Sequence, residues 1–302
     1  MTLADDLRNR WRDGGMLIRL VLVNIAVFLS IWAVFGGLWI FTRDRAVAME
    51  LFQTRVIEYL VLPSDLGLLL VRPWTLITTM FLHYEAGHLF WNMVLLWTIG
   101  RLYGDLLGDR RLLGTYLLGG LSGSVLFVAS HNLLPPPEGM PTALGASGAV
   151  VSVVVMIATY RPDMLVNIIF IGPVKLMYFA GVLVLLDLIG MGSPDGVAHA
   201  AHIGGTLYGF MAAQMLRRGS DWSMGLANGL ERAGDFLKGK RRSRLRVAKR
   251  PTRRGVMVDV EFNTAKKEKQ ARVDAILDKI SKSGYDSLSK DERDFLFHAS
   301  KE

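Results

Sequence analysis

The chain has 302 residues, of which 51% are hydrophobic, and its mean hydropathy is +0.31. It carries a formal charge of +8 and no cysteine, which excludes disulfides and thiolate metal sites. The charges are concentrated at the N-terminus, in segments between apolar stretches and in residues 218–302, a distribution typical of a membrane protein with a charged tail.

Six apolar stretches are candidates for crossing a bilayer, which takes roughly 20 residues of helix. They are Leu20 to Phe41, Gly87 to Tyr103, Leu112 to Ala129, Ser147 to Tyr160, Leu176 to Ile189 and Val197 to Leu216. Three prolines at 135–137 separate the third stretch from the fourth, because proline cannot continue a helix. The first stretch is too long for a signal peptide and lacks a small-residue cleavage site. We therefore predict an all-α membrane protein with six transmembrane helices.

The basic residues predict the orientation of these helices. Six spans put the N-terminus, the loop with Arg110, the loop with Arg161 and the basic C-terminal tail on one side, which should be the cytoplasm. The loops around 132–144 and 190–196, on the other side, contain no Lys or Arg. The long first loop, 42–86, contains four arginines but weighs less, since long segments translocate largely regardless of charge. Both termini are therefore predicted to be cytoplasmic.

Two residues inside the apolar stretches point to chemistry. Ser147 lies between small residues in the fourth stretch, and His202 lies in the sixth. Ionisable groups at membrane depth are expensive, and they are functional candidates by default. A serine and a histidine are also the groups that nucleophilic acyl transfer requires.

The predicted topology brings these residues to one depth. Spans two, four and six all begin on the outer side, with His88, Ser147 and His202 at or near their starts. At a rise of ~1.5 Å per residue, His202 would lie only ~8 Å below the start of its span. The fourth span is ~21 Å long, shorter than the ~30 Å hydrocarbon core. Residues 139–146 should therefore be irregular backbone that other helices shield or that lines a watery cavity. The N–H groups at the helix start beside Ser147 suit a developing oxyanion.

Three motifs on alternate spans carry a resemblance to a known family. They are Gly145-x-Ser147-Gly148, His88-x-x-x-Asn92 and Ala201-His202-x-x-Gly205-x-x-x-Gly209. Each is weak alone, but the three in this order look like the rhomboid family of intramembrane serine proteases, over roughly residues 17–216. The resemblance implies a six-helix rhomboid-like bundle in the inner membrane of a bacterium. It also implies single-pass transmembrane proteins as substrates and no cofactor.

The resemblance also implies roles for individual residues. Ser147 would be the nucleophile and His202 its general base, while His88, Asn92 and the Ser147 backbone N–H would bind the oxyanion beside Gly145. Residues 88 and 92 lie on one helix face, and each side chain can donate a hydrogen bond. The small residues Gly205 and Gly209 would let the sixth helix pack closely on the fourth. His83 and His199 match positions where the family often has histidine, and we interpret both as supporting residues.

Several alternatives compete with this interpretation. Asp187, near the outer end of span five, is a tempting third member, but the family pattern has none, which favours an interfacial or structural role. Metal binding by the histidines is disfavoured, because no carboxylate or thiolate is expected at matching depth, so no metal site is predicted. A non-catalytic rhomboid-like binder or a transporter with a histidine relay remains the alternative function. A binder would be expected to lack Ser147 or His202, and a transporter to show inverted repeats, which we do not find.

The composition changes beyond Leu216. Ten Lys or Arg and no acid occur from Lys238 to Arg254, a pattern that predicts attraction to a lipid bilayer with anionic head groups; no nucleic acid partner is expected. A capping box, Ser289-x-x-Glu292, indicates a helix in a small appendage hinged near Gly284. We predict a cytoplasmic segment (1–16), a six-helix protease domain (17–217), a basic juxtamembrane linker (218–255) and a helical cytoplasmic appendage (256–302).

Overall fold

A computed structural model describes residues 15–134, 141–168, 172–191, 198–237, 273–282, 284 and 287–299. The chain divides into two compact units, Met1–Gly239 and Lys240–Glu302. Several features of the sequence lie outside the described residues: the basic N-terminus, the triproline turn, most of the loop at 190–196, the first residue of the sixth stretch and the basic segment from Lys238 to Arg254.

The described part of the first unit is mostly helical. Its helices are α1 (Gly15–Thr42), α2 (Arg45–Arg55), α3 (Leu66–Val71), α4 (Thr75–Thr78), α5 (Ala86–Leu107), α6 (Asp109–Leu133), α7 (Ser147–Tyr160), α8 (Leu176–Gly190), α9 (His199–Arg217) and α10 (Trp222–Leu237). Two short antiparallel pairs accompany them: β1 (Leu62–Pro63) with β2 (Thr142–Ala143), and β3 (Leu165–Ile168) with β4 (Gly172–Lys175). A helix therefore occupies each of the six predicted stretches, namely α1 and α5 to α9.

Length and hydropathy single out two of the described helices as able to cross a membrane. These are α1 and α6, while α7 and α8 are apolar but shorter. Helix α7 is buried along almost its whole length, from Gly148 to Ala158, and packs against α5, α6, α8 and α9. A helix that is apolar on every side belongs in a core. Its many valines are poor helix formers, so the surrounding helices provide much of what stabilises it.

The first loop folds into a compact layer against α1. The Asp44 carboxylate caps α2 by accepting from two backbone N–H groups, at 2.8 and 3.2 Å. The rings of Trp32, Phe52 and Tyr84 then pack together with centroid distances of 5.4 to 6.4 Å. Arg72 forms an ion pair with Glu58, 3.2 Å between Nη1 and Oε1. The loop therefore has its own small core beside the helices.

The first part of the predicted linker is a packed helix. Asp221 caps α10 by accepting from the Met224 N–H at 2.9 Å, and it pairs with Arg111 at 2.6 Å. The Ser223 hydroxyl lies 2.9 Å from the hydroxyls of both Thr115 and Tyr208. These bonds tie α10 to α6 and α9, so residues 222–237, which fall within the predicted juxtamembrane linker, form a packed helix.

The described part of the second unit contains two helices, α11 (residues 273–282) and α12 (Lys290–Ala299). Gly284, between them, has a φ of 75°, which favours glycine. The predicted capping box is confirmed: the Ser289 N–H donates to the Glu292 carboxylate at 2.7 Å, and the Glu292 N–H donates to the Ser289 hydroxyl at 3.3 Å. Lys279 adds an ion pair to Glu292 at 2.9 Å, which joins the two helices.

Candidate active site

A cavity of about 820 Å³ opens beside the start of α7. Residues from α2, α5, the segment 142–147 and the start of α9 line it, and they include Ser147, His202, His88 and Asn92. The four residues that the sequence predicts to take part in the reaction therefore share one cavity.

Ser147 and His202 are within hydrogen-bonding distance, with 2.6 Å between Ser147 Oγ and His202 Nε2. Ser147 is the first residue of α7, and His202 lies in the first turn of α9. The two helices approach closely at Gly205 and Gly209. A Cβ on Gly205 would collide with the Gly148 carbonyl oxygen, and one on Gly209 would lie 2.5 Å from the Ser152 carbonyl oxygen. Both glycines thus lie where the sequence predicts them, between the two helices.

The loop before Ser147 is held in an irregular conformation. The Gly145 N–H donates to the Thr79 carbonyl at 2.9 Å, and the Thr79 hydroxyl donates to the Ala143 carbonyl at 2.7 Å. Gly145 has a φ of 118°, and a Cβ there would lie 2.5 Å from Cε1 of His88. Only glycine satisfies both the backbone conformation and this contact. Gly145 therefore lets the His88 ring lie against the turn that presents Ser147.

His83 supports the same loop through a hydrogen bond. It is fully buried, and its Nε2 accepts a hydrogen bond from the Ala146 N–H at 3.3 Å. Burial, aided by the nearby His88, lowers the pKa of His83 from 6.5 to about 4. The imidazole is therefore neutral at pH 7 and has a lone pair with which to accept this bond. Its ring centroid lies 5.1 Å from that of His88.

Asn92 lies one turn after His88 on α5. Its Nδ2 donates to the His88 carbonyl at 2.9 Å, which uses one of the two amide N–H donors. The second donor is available for a ligand in the cavity that both side chains line. The assignment of His88 and Asn92 to an oxyanion site remains a prediction.

A carboxylate lies beside the histidines, so the expectation that none would be present at this depth is wrong. Asp187 Oδ1 lies 2.6 Å from Nδ1 of His202 and 3.0 Å from Nδ1 of His199. The end of α8 meets the start of α9, which brings Asp187 beside residues 12 and 15 positions later. One signal was present in the sequence: Asp187 is the one charged residue in the apolar stretch that forms α8.

These three side chains also meet a simple geometric criterion for a metal site, with ligand atoms within 4.8 Å of one another. The distance from His202 Nδ1 to Asp187 Oδ1 is 2.6 Å. Two ligands of a tetrahedral zinc, each about 2.0–2.1 Å from the ion, lie about 3.3 Å apart. The observed spacing fits a charge-assisted hydrogen bond better.

Comparison with known proteins agrees with this geometry. Residues 71–219 match the rhomboid domain family. The matched range contains Ser147, His202, His88 and Asn92, and the cavity residues outside it are those from Gln53 to Val61. The chain belongs to the rhomboid family. Residues 257–302 of this rhomboid match a family of unknown function, DUF6576.

Several curated proteins are similar to this rhomboid. RHOMBOID-like protein 12, mitochondrial, of Arabidopsis thaliana is 26% identical over 219 residues, covering 68% of the chain and 60% of the relative. Presenilin-associated rhomboid-like protein A, mitochondrial, of Danio rerio is 33% identical over 142 residues, 44% of the chain and 35% of the relative. Rhomboid protease GluP of Bacillus subtilis is 30% identical over 169 residues, 55% of the chain and 28% of the relative. The matches thus span 60% or less of the length of these relatives.

The relatives establish the class of protein but not its location. Rhomboids are membrane proteins and include proteases, as the name of the Bacillus relative states. Other relatives are named as mitochondrial or chloroplastic, so the comparisons do not support a bacterial inner membrane over other membranes.

Proposed function

We propose that this rhomboid is an intramembrane serine endopeptidase in which Ser147 is the nucleophile and His202 the general base. The observation that carries the proposal is the 2.6 Å contact between Ser147 Oγ and His202 Nε2 in a cavity of the rhomboid domain. A serine hydroxyl is a weak nucleophile until a base within hydrogen-bonding distance takes its proton. This pair meets that requirement.

The reaction follows from the positions of these groups. His202 Nε2 takes the proton as Ser147 Oγ attacks the substrate carbonyl, and a tetrahedral intermediate forms. Its oxyanion is stabilised by the Ser147 N–H and by the side chains of His88 and Asn92. His202 then gives the proton to the leaving amine, which leaves an acyl-enzyme. Water, activated by His202, attacks the ester and releases the acid, which restores the serine.

The same proposal places six helices, α1 and α5 to α9, in a membrane with both termini on one side. The exposed side of α8, which does not pack against the other described helices, supports this arrangement. Seven of its apolar side chains are 44 to 70% exposed: Met177, Tyr178, Val182, Leu185, Leu186, Leu188 and Ile189. A soluble monomer rarely exposes such a continuous apolar face, whereas lipid covers it without cost. Two further expectations from the sequence are part of this proposal. They are the attraction of the basic segment from Lys238 to Arg254 to anionic lipids, and a location in the inner membrane of a bacterium.

The substrates that fit this arrangement are single-pass membrane proteins. A transmembrane helix keeps its carbonyls in internal hydrogen bonds, because the bilayer offers no other partners. A substrate must therefore unwind locally before Ser147 can attack it. Segments with Gly, Ala, Ser or Pro near the outer end of a span unwind most easily. We propose cleavage there, after a small residue.

Labelling with a fluorophosphonate tests the proposed nucleophile. The purified protein should react at Ser147 and cleave a single-pass reporter, whereas Ser147→Ala and His202→Ala should do neither. Ser152→Ala is the matched control, because Ser152 lies on the same helix and its hydroxyl lies 2.7 and 3.0 Å from two backbone carbonyls outside the cavity. It should keep both activities. A folded wild-type protein that neither reacts nor cleaves would favour the non-catalytic binder.

A second experiment tests the substrate class. Leucine runs are inserted through the outer end of the transmembrane segment of a cleaved reporter, and the product termini are mapped by mass spectrometry. Cleavage should fall as the helix becomes harder to unwind, and the termini should follow small residues. Undiminished cutting inside an uninterrupted leucine helix, or termini at the other end of the span, would rule out this part of the proposal.

A further inference from the structure

Asp187 is set apart from the rest of α8 by its environment. Its neighbours Leu186 and Leu188 are 58 and 56% exposed, while Asp187 is only 7% exposed. The carboxylate therefore points into the protein, toward α9, away from the exposed side of α8. Burial of an ionised group without partners is strongly unfavourable. Its partners are the histidines of α9.

Both histidines meet the same carboxylate oxygen. Nδ1 of His202 is 2.6 Å from Asp187 Oδ1, and Nδ1 of His199 is 3.0 Å from it. An ionised carboxylate can only accept hydrogen bonds, so each Nδ1 must carry the proton. A neutral imidazole with its proton on Nδ1 has a lone pair on Nε2. In His202 that lone pair faces Ser147 Oγ at 2.6 Å.

We propose that Asp187 is a positioning residue that holds His202 in the tautomer and ring orientation required to accept the Ser147 proton. This inference rests on the proposed function and deepens it: the serine and histidine have a third, acidic member. His199 holds the carboxylate in place, because its Nδ1–H donates a second hydrogen bond to Asp187 Oδ1. The charge of Asp187 also stabilises the imidazolium that forms when His202 takes the proton, as in soluble serine proteases.

Asp187→Asn tests this inference, because it keeps the size of the side chain and removes its charge. The new amide can donate to Nδ1, which would favour the tautomer with the proton on Nε2, unable to act as a base. In a serine protease triad this change lowers kcat about 10⁴-fold, so we expect a loss of roughly 10²–10⁴-fold. KM should change little, because Asp187 does not line the cavity. Fluorophosphonate labelling should slow in parallel.

Two controls accompany this variant. Asp105→Asn removes an exposed carboxylate from α5, outside the cavity, and should leave kcat unchanged. His199→Gln should cost less than Asp187→Asn, because the bond between Asp187 and His202 remains.

Nitrogen-15 NMR of the histidines provides a measurement that does not depend on activity. The His202 signals, assigned by their loss in His202→Gln, should show a protonated Nδ1 and an unprotonated Nε2 in the resting wild-type protein. In Asp187→Asn this preference should be lost or reversed. A purely structural role for Asp187 would lower the melting temperature and leave the tautomer unchanged.

The outcomes separate this inference from the proposed function. If wild-type protein is labelled at Ser147 while folded Asp187→Asn keeps its kcat and its His202 tautomer, the positioning role is overturned and the protease assignment stands. If wild-type protein neither reacts nor cleaves, the protease assignment fails, and the NMR comparison still decides what Asp187 does. Should Asp187→Asn fail to fold, a wild-type His202 with its proton on Nε2 would by itself refute the inference.

Discussion

At the scale of single residues, two polar side chains close to Ser147 form hydrogen bonds with the backbone. Asn92 donates to the His88 carbonyl, and His83 accepts from the Ala146 N–H. Each bond fixes a side chain or a loop next to Ser147 and leaves other donors for a ligand. The positions of these residues are thus set before any substrate binds, which is the condition for electrostatic stabilisation of an oxyanion.

The first prediction concerns the oxyanion donors. Asn92→Ala and His88→Ala should each lower kcat by ~10²–10³, because one donor to the intermediate is lost. Asn132→Ala is the control: its amide also donates to a carbonyl four residues earlier, at 2.8 Å, but it lies outside the cavity. Steady-state cleavage of a reporter in detergent measures the effect. A variant with wild-type kcat would show that its residue is not an oxyanion donor.

A second prediction concerns the pH dependence of stability. Between pH 6.5 and 4 the unfolded His83 binds a proton that the folded His83, with its pKa lowered to about 4, does not. Its contribution to stability is therefore complete above pH 6.5 and is lost as the pH falls toward 4. At ~1.4 kcal/mol per pKa unit, this shift of about 2.5 units corresponds to a loss of up to about 3.5 kcal/mol.

Apparent melting temperatures of the wild-type protein and of His83→Gln, measured from pH 7.5 to 4, test this. The variant should be less stable at pH 7.5, because it loses a buried imidazole, and its stability should fall less steeply with acid. His131→Gln, on α6 outside the cavity, should keep the wild-type slope. Parallel pH curves for the wild-type protein and His83→Gln would contradict the assignment.

At the scale of helices, the contact between α7 and α9 decides whether Ser147 and His202 meet. The close approach depends on Gly205, where a Cβ would collide with the carbonyl oxygen of Gly148, the residue after Ser147. We expect Gly205→Ala to push α9 away from α7, at a cost of ~1–3 kcal/mol, and to lower kcat by lengthening the contact between Nε2 and Oγ. Melting temperature and reporter cleavage measure the two effects.

Gly181→Ala is the matched control for this substitution. Gly181 is a helical, exposed glycine on α8 with nothing within 4 Å of a Cβ. An alanine there should leave cleavage unchanged and slightly raise stability, since it removes the entropy cost of glycine in a helix. If Gly205→Ala matched Gly181→Ala in both measurements, the close contact would not be what holds the two side chains together.

Helix positions were predictable where long apolar runs end at charged or small residues. The starts of α7 and α8, at Ser147 and Leu176, coincide with the predicted starts. The short helices of the first loop and α10 were not predicted, because each is too short or too polar for hydropathy alone to reveal it. In the sequence, these helices were indicated only by N-capping residues such as Asp44 and Asp221. Such a residue shows that a helix begins only if the residues after it also pack against the rest of the protein.

The residues of the candidate site were also predictable only in part. The sequence placed Ser147, His202, His88 and Asn92 together because alternate spans begin on one side, and the cavity contains all four. Asp187 was considered but assigned an interfacial or structural role, because no motif includes it and its contacts with α9 arise from packing. The family resemblance, which has no acidic member, directed attention away from the residue closest to Nδ1 of His202.

At the scale of the whole molecule, the cavity and the charges must agree on one orientation. The first loop, including α2, lies on the side where α7 and α9 begin, and Arg161 follows the end of α7 on the other side. The positive-inside rule assigns the side of Arg161 to the cytoplasm. The cavity would then open toward the outer face, where the proposed substrates have their outer boundary.

The last prediction tests this orientation with single cysteines, which the natural chain lacks. Glu50→Cys, at an exposed position on α2, should react with an impermeant maleimide added to intact spheroplasts of a bacterial host. Arg161→Cys and Arg218→Cys, also exposed, should react only after the membrane is permeabilised. Three predicted spans, α5, α6 and α7, separate α2 from Arg161, so the two positions should lie on opposite sides of the membrane. An even number of spans between them would place both on the same side and would not give this labelling pattern. Labelling of Arg161→Cys and Arg218→Cys from outside, with Glu50→Cys protected, would invert the topology and turn the cavity mouth toward the cytoplasm.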